Sequence, residues 1–99
     1  MGILKIKLEV TQMDKEENSI NDIRYIEIGY NIQYFRKHKG FTQEQLAEAL
    51  DISRQHLGAI EAPRIVRPVS LELLFRIADM LDVDVRMLLD FHGHDKKQE

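Results

Sequence analysis

The chain has 99 residues, no cysteine and a formal net charge of −3 at neutral pH. This length suits one small domain with an appendage, and the 43% of residues that are hydrophobic can fill a compact core. The lack of cysteine excludes disulfides and thiolate metal sites and suits a reducing cytoplasm. The apolar runs are far too short to span a membrane, and no segment resembles a signal peptide.

The charged residues are unevenly distributed along the chain. Residues 34–67 contain six basic and four acidic side chains, a net charge of +2, whereas residues 1–33 and 68–99 carry −2 and −3. A chain that is acidic overall is not expected to coat DNA indiscriminately. A basic central segment between acidic ends nevertheless suits a protein that approaches DNA with one face.

The first stretch with a clear pattern is residues 3–10, ILKIKLEV. Polar residues alternate there with four apolar ones, Leu4, Ile6, Leu8 and Val10. This pattern is typical of a β-strand with one apolar face, and the polar residues 11–21 that follow are expected to form a linker. Because an isolated strand is unstable in water, this arm needs a partner. Either two copies pair across a two-fold axis and form a homodimer, or the strand packs on its own chain.

The first helix of the domain is expected to begin between Asp22 and Glu27 and to end near His38. Its buried stripe consists of apolar residues spaced by four and then three positions, Ile28, Ile32 and Phe35. Gly40 follows as a residue that readily adopts the left-handed conformation in which many helices end.

Two short helical patterns follow between residues 42 and 61. Thr42 and Gln45 form a capping box at the start of the first pattern, and Ser53 is the N-cap of the second. The inward residues of the two patterns are Leu46, Ala47, Leu50, Leu57 and Ile60. Helices separated by so few residues must cross steeply, which predicts a helix-turn-helix whose second helix leaves one side exposed.

An irregular loop with two prolines, EAPRIVRPVS, comes next. Ser70 then caps a fourth helix whose inward residues are expected to be Leu71, Leu74, Ile77, Ala78 and Leu81. A last helix is expected over roughly residues 84–90, and the polar tail of residues 92–99 is expected to be frayed. The two histidines of this tail, His92 and His94, lack the additional ligands that a metal site needs.

Several separate motifs match one known family in the right order along the chain. They are Ile28 and Gly29, Arg36, Gly40, residues 42–47, Ile52 and Ser53, Ile60 and Glu61, and Ser70 to Glu72. Residues 28–89 thereby resemble the helix-turn-helix domain of phage repressor and Cro proteins, the xenobiotic-response-element-like family of transcription regulators. The resemblance implies an all-α, five-helix domain over residues 22–91. The β-strand arm of residues 1–21 lies outside it, and the loop after the second central helix is longer than in the commonest family form.

The resemblance also implies which residues contact DNA. The helix of residues 53–61 is expected to lie in the major groove and to read bases through Ser53, Arg54, Gln55 and Ala59. Arginine and glutamine carry paired hydrogen-bonding groups that match guanine and adenine edges, and alanine offers an apolar contact to a thymine methyl group. The DNA backbone is expected to be contacted by Gln43, Arg36, His56, Arg64 and Arg67. The alternative is that these residues are ordinary solvated surface residues without a DNA contact, and that Ser53 acts only as a helix cap.

Arg36 and Glu61 are expected to have a mainly structural role. In relatives of the family, the corresponding residues pair with each other and tie the first helix to the end of the recognition helix. A secondary phosphate contact by Arg36 is compatible with this pairing. Asp51 stands where the turn often has glycine, and aspartate tolerates the left-handed conformation.

These observations predict a sequence-specific, DNA-binding transcription regulator of repressor type in the cytoplasm. Its expected partners are double-stranded DNA with a palindromic operator and a second copy of the chain, without cofactor, metal, small-molecule ligand or membrane. No nucleophile–base pair or phosphate-binding loop stands out, so we do not expect an enzyme. The alternative is a protein-interaction module, such as an antitoxin-like or partner-docking regulator that uses the N-terminal strand, because a fold does not settle function.

Overall fold

The computed structural model describes residues 2–91, and their side chains from residue 20 onward. The helices are α1 (Gly2–His38), α2 (Gln43–Leu50), α3 (Arg54–Glu61), α4 (Leu71–Leu81) and α5 (Val85–Leu88). Residues 2–91 contain no β-strand, so the predicted all-α class with five helices is confirmed. The tail predicted for residues 92–99, with His92 and His94, lies outside the described residues.

The β-strand arm predicted for residues 3–10 is not supported, because the backbone there belongs to α1. α1 also continues through the predicted linker at residues 11–21, so the helix begins well before its expected start. Its end at His38 agrees with the prediction. The apolar residues at positions 3, 6 and 10 also have helical spacing, and a helix pairs its own backbone groups whereas a single strand cannot. The domain boundary at residue 22 stays a prediction.

α1 ends where Gly40 allows the chain to turn. Gly40 has a φ of 85°, in the left-handed region that favours glycine. Its N–H donates to the carbonyl of Lys37, and the N–H of Phe41 donates to the carbonyl of Arg36, each at 3.0 Å. The chain therefore reverses direction within a few residues and enters α2.

The turn between α2 and α3 begins at Asp51, which adopts the left-handed conformation with a φ of 57°. The N–H of Ile52 then donates to the carbonyl of Ala47 at 3.0 Å. The hydroxyl of Ser53 accepts the N–H of His56 at 2.9 Å and so caps α3. All three helix caps predicted from the sequence are present, at Thr42, Ser53 and Ser70.

The core lies between the second half of α1 and the shorter helices. Its largest fully buried side chains are Ile32, Leu46, Leu50, Leu57, Ile60, Ile77, Leu81 and Leu88. α1 and α3 approach backbone to backbone at Gly29, where an added Cβ would lie 2.0 Å from the carbonyl oxygen of Ile60. This close contact fixes the position of α3 on the surface of the domain.

The C-terminal helices depart from the prediction in detail. Leu71 is 65% exposed rather than inward, and the buried face of α4 begins at Leu73. α5 is shorter than expected and is held to α1 by the amide of Asn31, which donates to the carbonyls of Leu88 at 2.9 Å and Asp90 at 3.3 Å. None of the helices within residues 2–91 combines the length and the apolar character that a membrane-spanning helix requires.

Candidate nucleic-acid interface

α3 buries one side and exposes the other. Its buried residues are Leu57, Ile60 and Glu61. The opposite side, here called the outer face of α3, is exposed or half-buried and consists of Arg54, Gln55, His56, Gly58 and Ala59. Together with the exposed cap Ser53, this face carries all four residues that were predicted to contact bases.

An open concavity of about 520 Å³ lies between the outer face of α3 and the loop of residues 62–70. Its lining residues are Ser53, Gln55, His56, Gly58, Ala59, Ile65 and Arg67. None of them is acidic, although the chain has 17 acidic residues. The concavity therefore combines hydrogen-bonding groups with positive charge, which suits a polyanion.

The concavity brings together five of the predicted DNA-contacting residues, Ser53, Gln55, His56, Ala59 and Arg67. Arg54, Arg64 and Gln43 do not line it. The Nε of Arg54 lies 3.9 Å from Oε1 of Glu44 in the first turn of α2, and the two side chains are 64% and 79% exposed. An ion pair this long between solvated side chains contributes about 0–1 kcal/mol, so Arg54 can exchange Glu44 for another acceptor at little cost.

A buried hydrogen-bond network joins α1, α2 and α3 beneath this surface. Arg36 makes a two-pronged ion pair with Glu61, in which Nε lies 2.7 Å from Oε2 and one terminal nitrogen lies 2.9 Å from Oε1. The other terminal nitrogen of Arg36 donates to the carbonyl of Phe41 at 2.8 Å. Gln43 adds a bond from its side-chain amide to Oε1 of Glu61 at 3.0 Å. The pairing of Arg36 with Glu61 that the family resemblance implied is therefore present in the structure.

The same network argues against the phosphate contact that was predicted for Arg36. Arg36 is only 6% exposed, and its three nitrogen atoms all donate to protein acceptors. A residue so enclosed has little surface to offer to DNA, which favours a structural role for Arg36. Gln43 is half-buried, and its amide bonds Glu61 rather than Arg54. Its predicted contact with a phosphate stays a prediction.

The loop of residues 62–70 contributes the remaining cations. Arg64 and Arg67 are both exposed, and the loop contains two prolines and no acidic residue. The N–H of Ile65 donates to the carbonyl of Ala62 at 3.4 Å, which holds the loop close to the end of α3. Among the described residues, no group of three or more histidine, aspartate and glutamate side chains is placed to hold a metal ion.

Ile65 and Gly58 are the two residues of the concavity that were not predicted from the sequence. Ile65 belongs to the irregular loop of residues 62–70. The available signal was the apolar pair Ile65 and Val66 between two arginines of this loop.

Comparison with known proteins identifies relatives over the same part of the chain. A family model described as helix-turn-helix matches residues 32–88. The HTH-type transcriptional regulator SinR of Bacillus subtilis is 36% identical over 63 residues, which are 64% of this chain and 56% of SinR. This chain therefore spans about half the length of that curated relative.

Two solved structures are similar to this chain over almost their whole length. The restriction-modification controller protein C.AhdI from Aeromonas hydrophila superposes with a TM-score of 0.59 at 31% identity, covering 65% of this chain and 94% of that one. A crystal structure of SinR, the master regulator for biofilm formation, in complex with DNA superposes with a TM-score of 0.57 at 36% identity. That match covers 64% of this chain and 98% of the SinR chain.

Proposed function

Because the chain belongs to the Cro-type helix-turn-helix family, as its motifs predicted, we propose that it is a sequence-specific DNA-binding transcription regulator of repressor type. The observation that carries the proposal is the outer face of α3 with the acid-free concavity beside it. The solved complex of SinR with DNA supports it, because that relative shares the fold at 36% identity. We also propose a cytoplasmic location, in keeping with the family of DNA-binding regulators.

In the proposed complex, α3 lies in the major groove, which is wide enough to admit a helix. Arg54 and Gln55 read base edges, because a guanidinium matches guanine and a carboxamide matches adenine. Ser53 and Ala59 complete the contacts to bases. This assignment uses the exposed residues of α3 and leaves its buried residues in the core.

Contacts to the DNA backbone come from residues around α3. Arg64 and Arg67 supply positive charge from the loop, and His56 lies between them and the bases. Gln43 lies in the first turn of α2, where unpaired backbone N–H groups favour a phosphate. These contacts set affinity and register but carry no sequence information themselves.

We further propose that the chain binds a palindromic operator as a homodimer. A single α3 of eight residues reads only a few base pairs, so one copy provides limited specificity. Two copies related by a two-fold axis would present two recognition helices about one DNA turn, roughly 34 Å, apart. Each half of a palindrome would then meet the same residues.

A binding experiment on selected DNA tests the proposed function. The protein is used to select binding sites from a pool of random double-stranded DNA. Its affinity for the selected site is then compared with its affinity for scrambled DNA at several salt concentrations. We expect a preferred palindromic site whose affinity falls steeply with salt, because phosphate contacts release counterions. Equal affinity for selected and scrambled DNA would contradict the proposal.

The N-terminal strand that a protein-interaction module would use for docking is not supported, because α1 includes those residues. The same binding experiment separates the two classes of function, because a module that acts only on proteins selects no DNA sequence.

A further inference from the structure

The loop between α3 and α4 exposes two β-branched residues between two arginines. Ile65 is 48% exposed and Val66 is 39% exposed. Single apolar residues at a surface are common and need no explanation. Ile65 differs from its neighbour because it lines the concavity beside α3, whereas Val66 does not.

The position of Ile65 is restrained by its backbone. Its N–H donates to the carbonyl of Ala62, the C-cap residue that follows α3, at 3.4 Å. Pro63 lies inside this turn, and its ring fixes one backbone dihedral angle. The side chain of Ile65 is therefore held where it forms one apolar part of the concavity, and Ala59 on α3 forms another.

The concavity has the size and polarity to take the edge of a base pair. Its volume of about 520 Å³ admits a group far larger than a methyl. Gln55 provides an amide, Arg67 provides positive charge, and no lining residue is acidic. Ala59 and Ile65 add apolar surface to the concavity. A base-pair edge that carries only polar groups would have no apolar group to pack against these two residues.

We propose that Ile65, together with Ala59, holds the 5-methyl group of a thymine, and that Ile65 is a specificity-determining residue. In the major groove, this methyl group is the apolar feature that distinguishes thymine from the other bases. Gln55 shares the concavity and matches adenine, so the site as a whole selects an A·T-containing step. The inference rests on the proposed function and names the base chemistry that this surface takes.

Replacing thymine by deoxyuridine tests the inference, because it removes the methyl group and leaves base pairing unchanged. Each thymine of the selected operator is replaced in turn, and binding is measured by titration. We expect the substitution at one position in each half-site to weaken the affinity about fourfold, because the contact with one buried methyl group is lost. The protein with Ile65→Ala should lose most of this difference between thymine and deoxyuridine at that position, because only Ala59 still contacts the methyl group.

Val66→Ala is the matched control, because Val66 is exposed and β-branched but lies outside the concavity. That variant should keep the full dependence on the methyl group. The inference is overturned when no thymine shows methyl dependence, or when Ile65→Ala retains all of it. It is also overturned when Ile65→Ala weakens thymine and deoxyuridine DNA alike, since Ile65 would then touch the sugar. Specific binding to DNA without methyl dependence would contradict this inference alone. A lack of any sequence-specific DNA binding would contradict the proposed function.

Discussion

Arg54 and Gln55 begin α3 side by side, but their surroundings differ. Gln55 lines the concavity with Ala59 and Ile65, whereas the Arg54 side chain makes a long ion pair with Glu44. A guanidinium can donate two parallel bonds to a guanine, and an amide can pair with an adenine. In the proposed complex, each of the two residues therefore pairs with a different base edge.

Arg54→Ala should relax base preference at one operator position. The expected cost on the preferred site is roughly 1–3 kcal/mol, because one bidentate contact to a base is lost. The measurement is a titration against operators that carry each single-base change. An unchanged preference at every position would show that Arg54 does not read a base.

Arg67→Ala should weaken binding to all DNA sequences alike. Its guanidinium is assigned to a phosphate, so the slope of log affinity against log salt should fall by about 0.9. Arg86→Ala is the matched control, since Arg86 has an 86% exposed side chain on α5, outside the proposed interface. A loss confined to one sequence would mean that Arg67 reads a base instead.

At the scale of the helices, two contacts hold α3 against α1. One is the backbone approach at Gly29, and the other is the buried network of Arg36, Glu61 and Gln43. Both involve the last two residues of α3, Ile60 and Glu61. The stability of the domain and the placement of the outer face of α3 therefore depend on the same contacts.

The pair of Arg36 and Glu61 should show strong coupling in a double-mutant cycle. Removing one partner leaves the other charge buried, which costs about 3–5 kcal/mol, well above the 0–1 kcal/mol of an exposed pair. Denaturant unfolding of Arg36→Ala, Glu61→Ala and the double variant measures the coupling. Additive losses would show that the two charges do not stabilise each other.

Gly29→Ala should destabilise the fold, although alanine is a better helix former than glycine. The new Cβ would lie 2.0 Å from the carbonyl oxygen of Ile60, so the backbones of α1 and α3 must separate. Overpacking of this kind costs roughly 1–3 kcal/mol, which urea unfolding resolves.

Gly58→Ala provides the matched comparison within α3. Its added Cβ would meet the side chain of Gln43 at 3.7 Å, an ordinary contact distance. Because alanine is the better helix former by about 1 kcal/mol, this variant should be as stable as the parent or more so. Equal losses for the two variants would mean that close packing at Gly29 is not the cause.

At the scale of the whole molecule, the proposed mode of DNA binding depends on the distribution of charge and on the proposed two-fold symmetry. The net charge is −3, but residues 34–67, which contain α2, α3 and the following loop, carry +2. The acidic remainder disfavours other orientations on a polyanion. Because each chain has one α3, the proposed palindromic operator would take two chains.

Light scattering and footprinting test this proposed assembly. We expect the protein mass bound to one operator to be twice the 11.6 kDa of one chain. We also expect two protected regions, related by a two-fold axis, whose centres lie about 34 Å apart. A complex with one chain per operator and an asymmetric footprint would contradict the homodimer.

The sequence by itself determined the features that involve few consecutive residues. The caps at Thr42, Ser53 and Ser70, the left-handed Gly40 and the three-residue turn between α2 and α3 follow from local hydrogen bonding and backbone sterics. The family motifs then correctly indicated the fold and the partner of Arg36. The outer face of α3 could be predicted as well, because helical spacing separates Leu57 and Ile60 from Arg54 and Gln55.

Tertiary structure decided the features that depend on distant segments. Residues 3–10 fit both strand and helix periodicity, and the absence of a strand partner among the described residues leaves the helix, which satisfies its own backbone. The enclosure of Arg36 required α1, α3 and Phe41 to meet, and the inclusion of Ile65 in the concavity required the loop to fold back beside Ala59. Spacing along the chain cannot report such contacts, because they arise only when separate elements pack together.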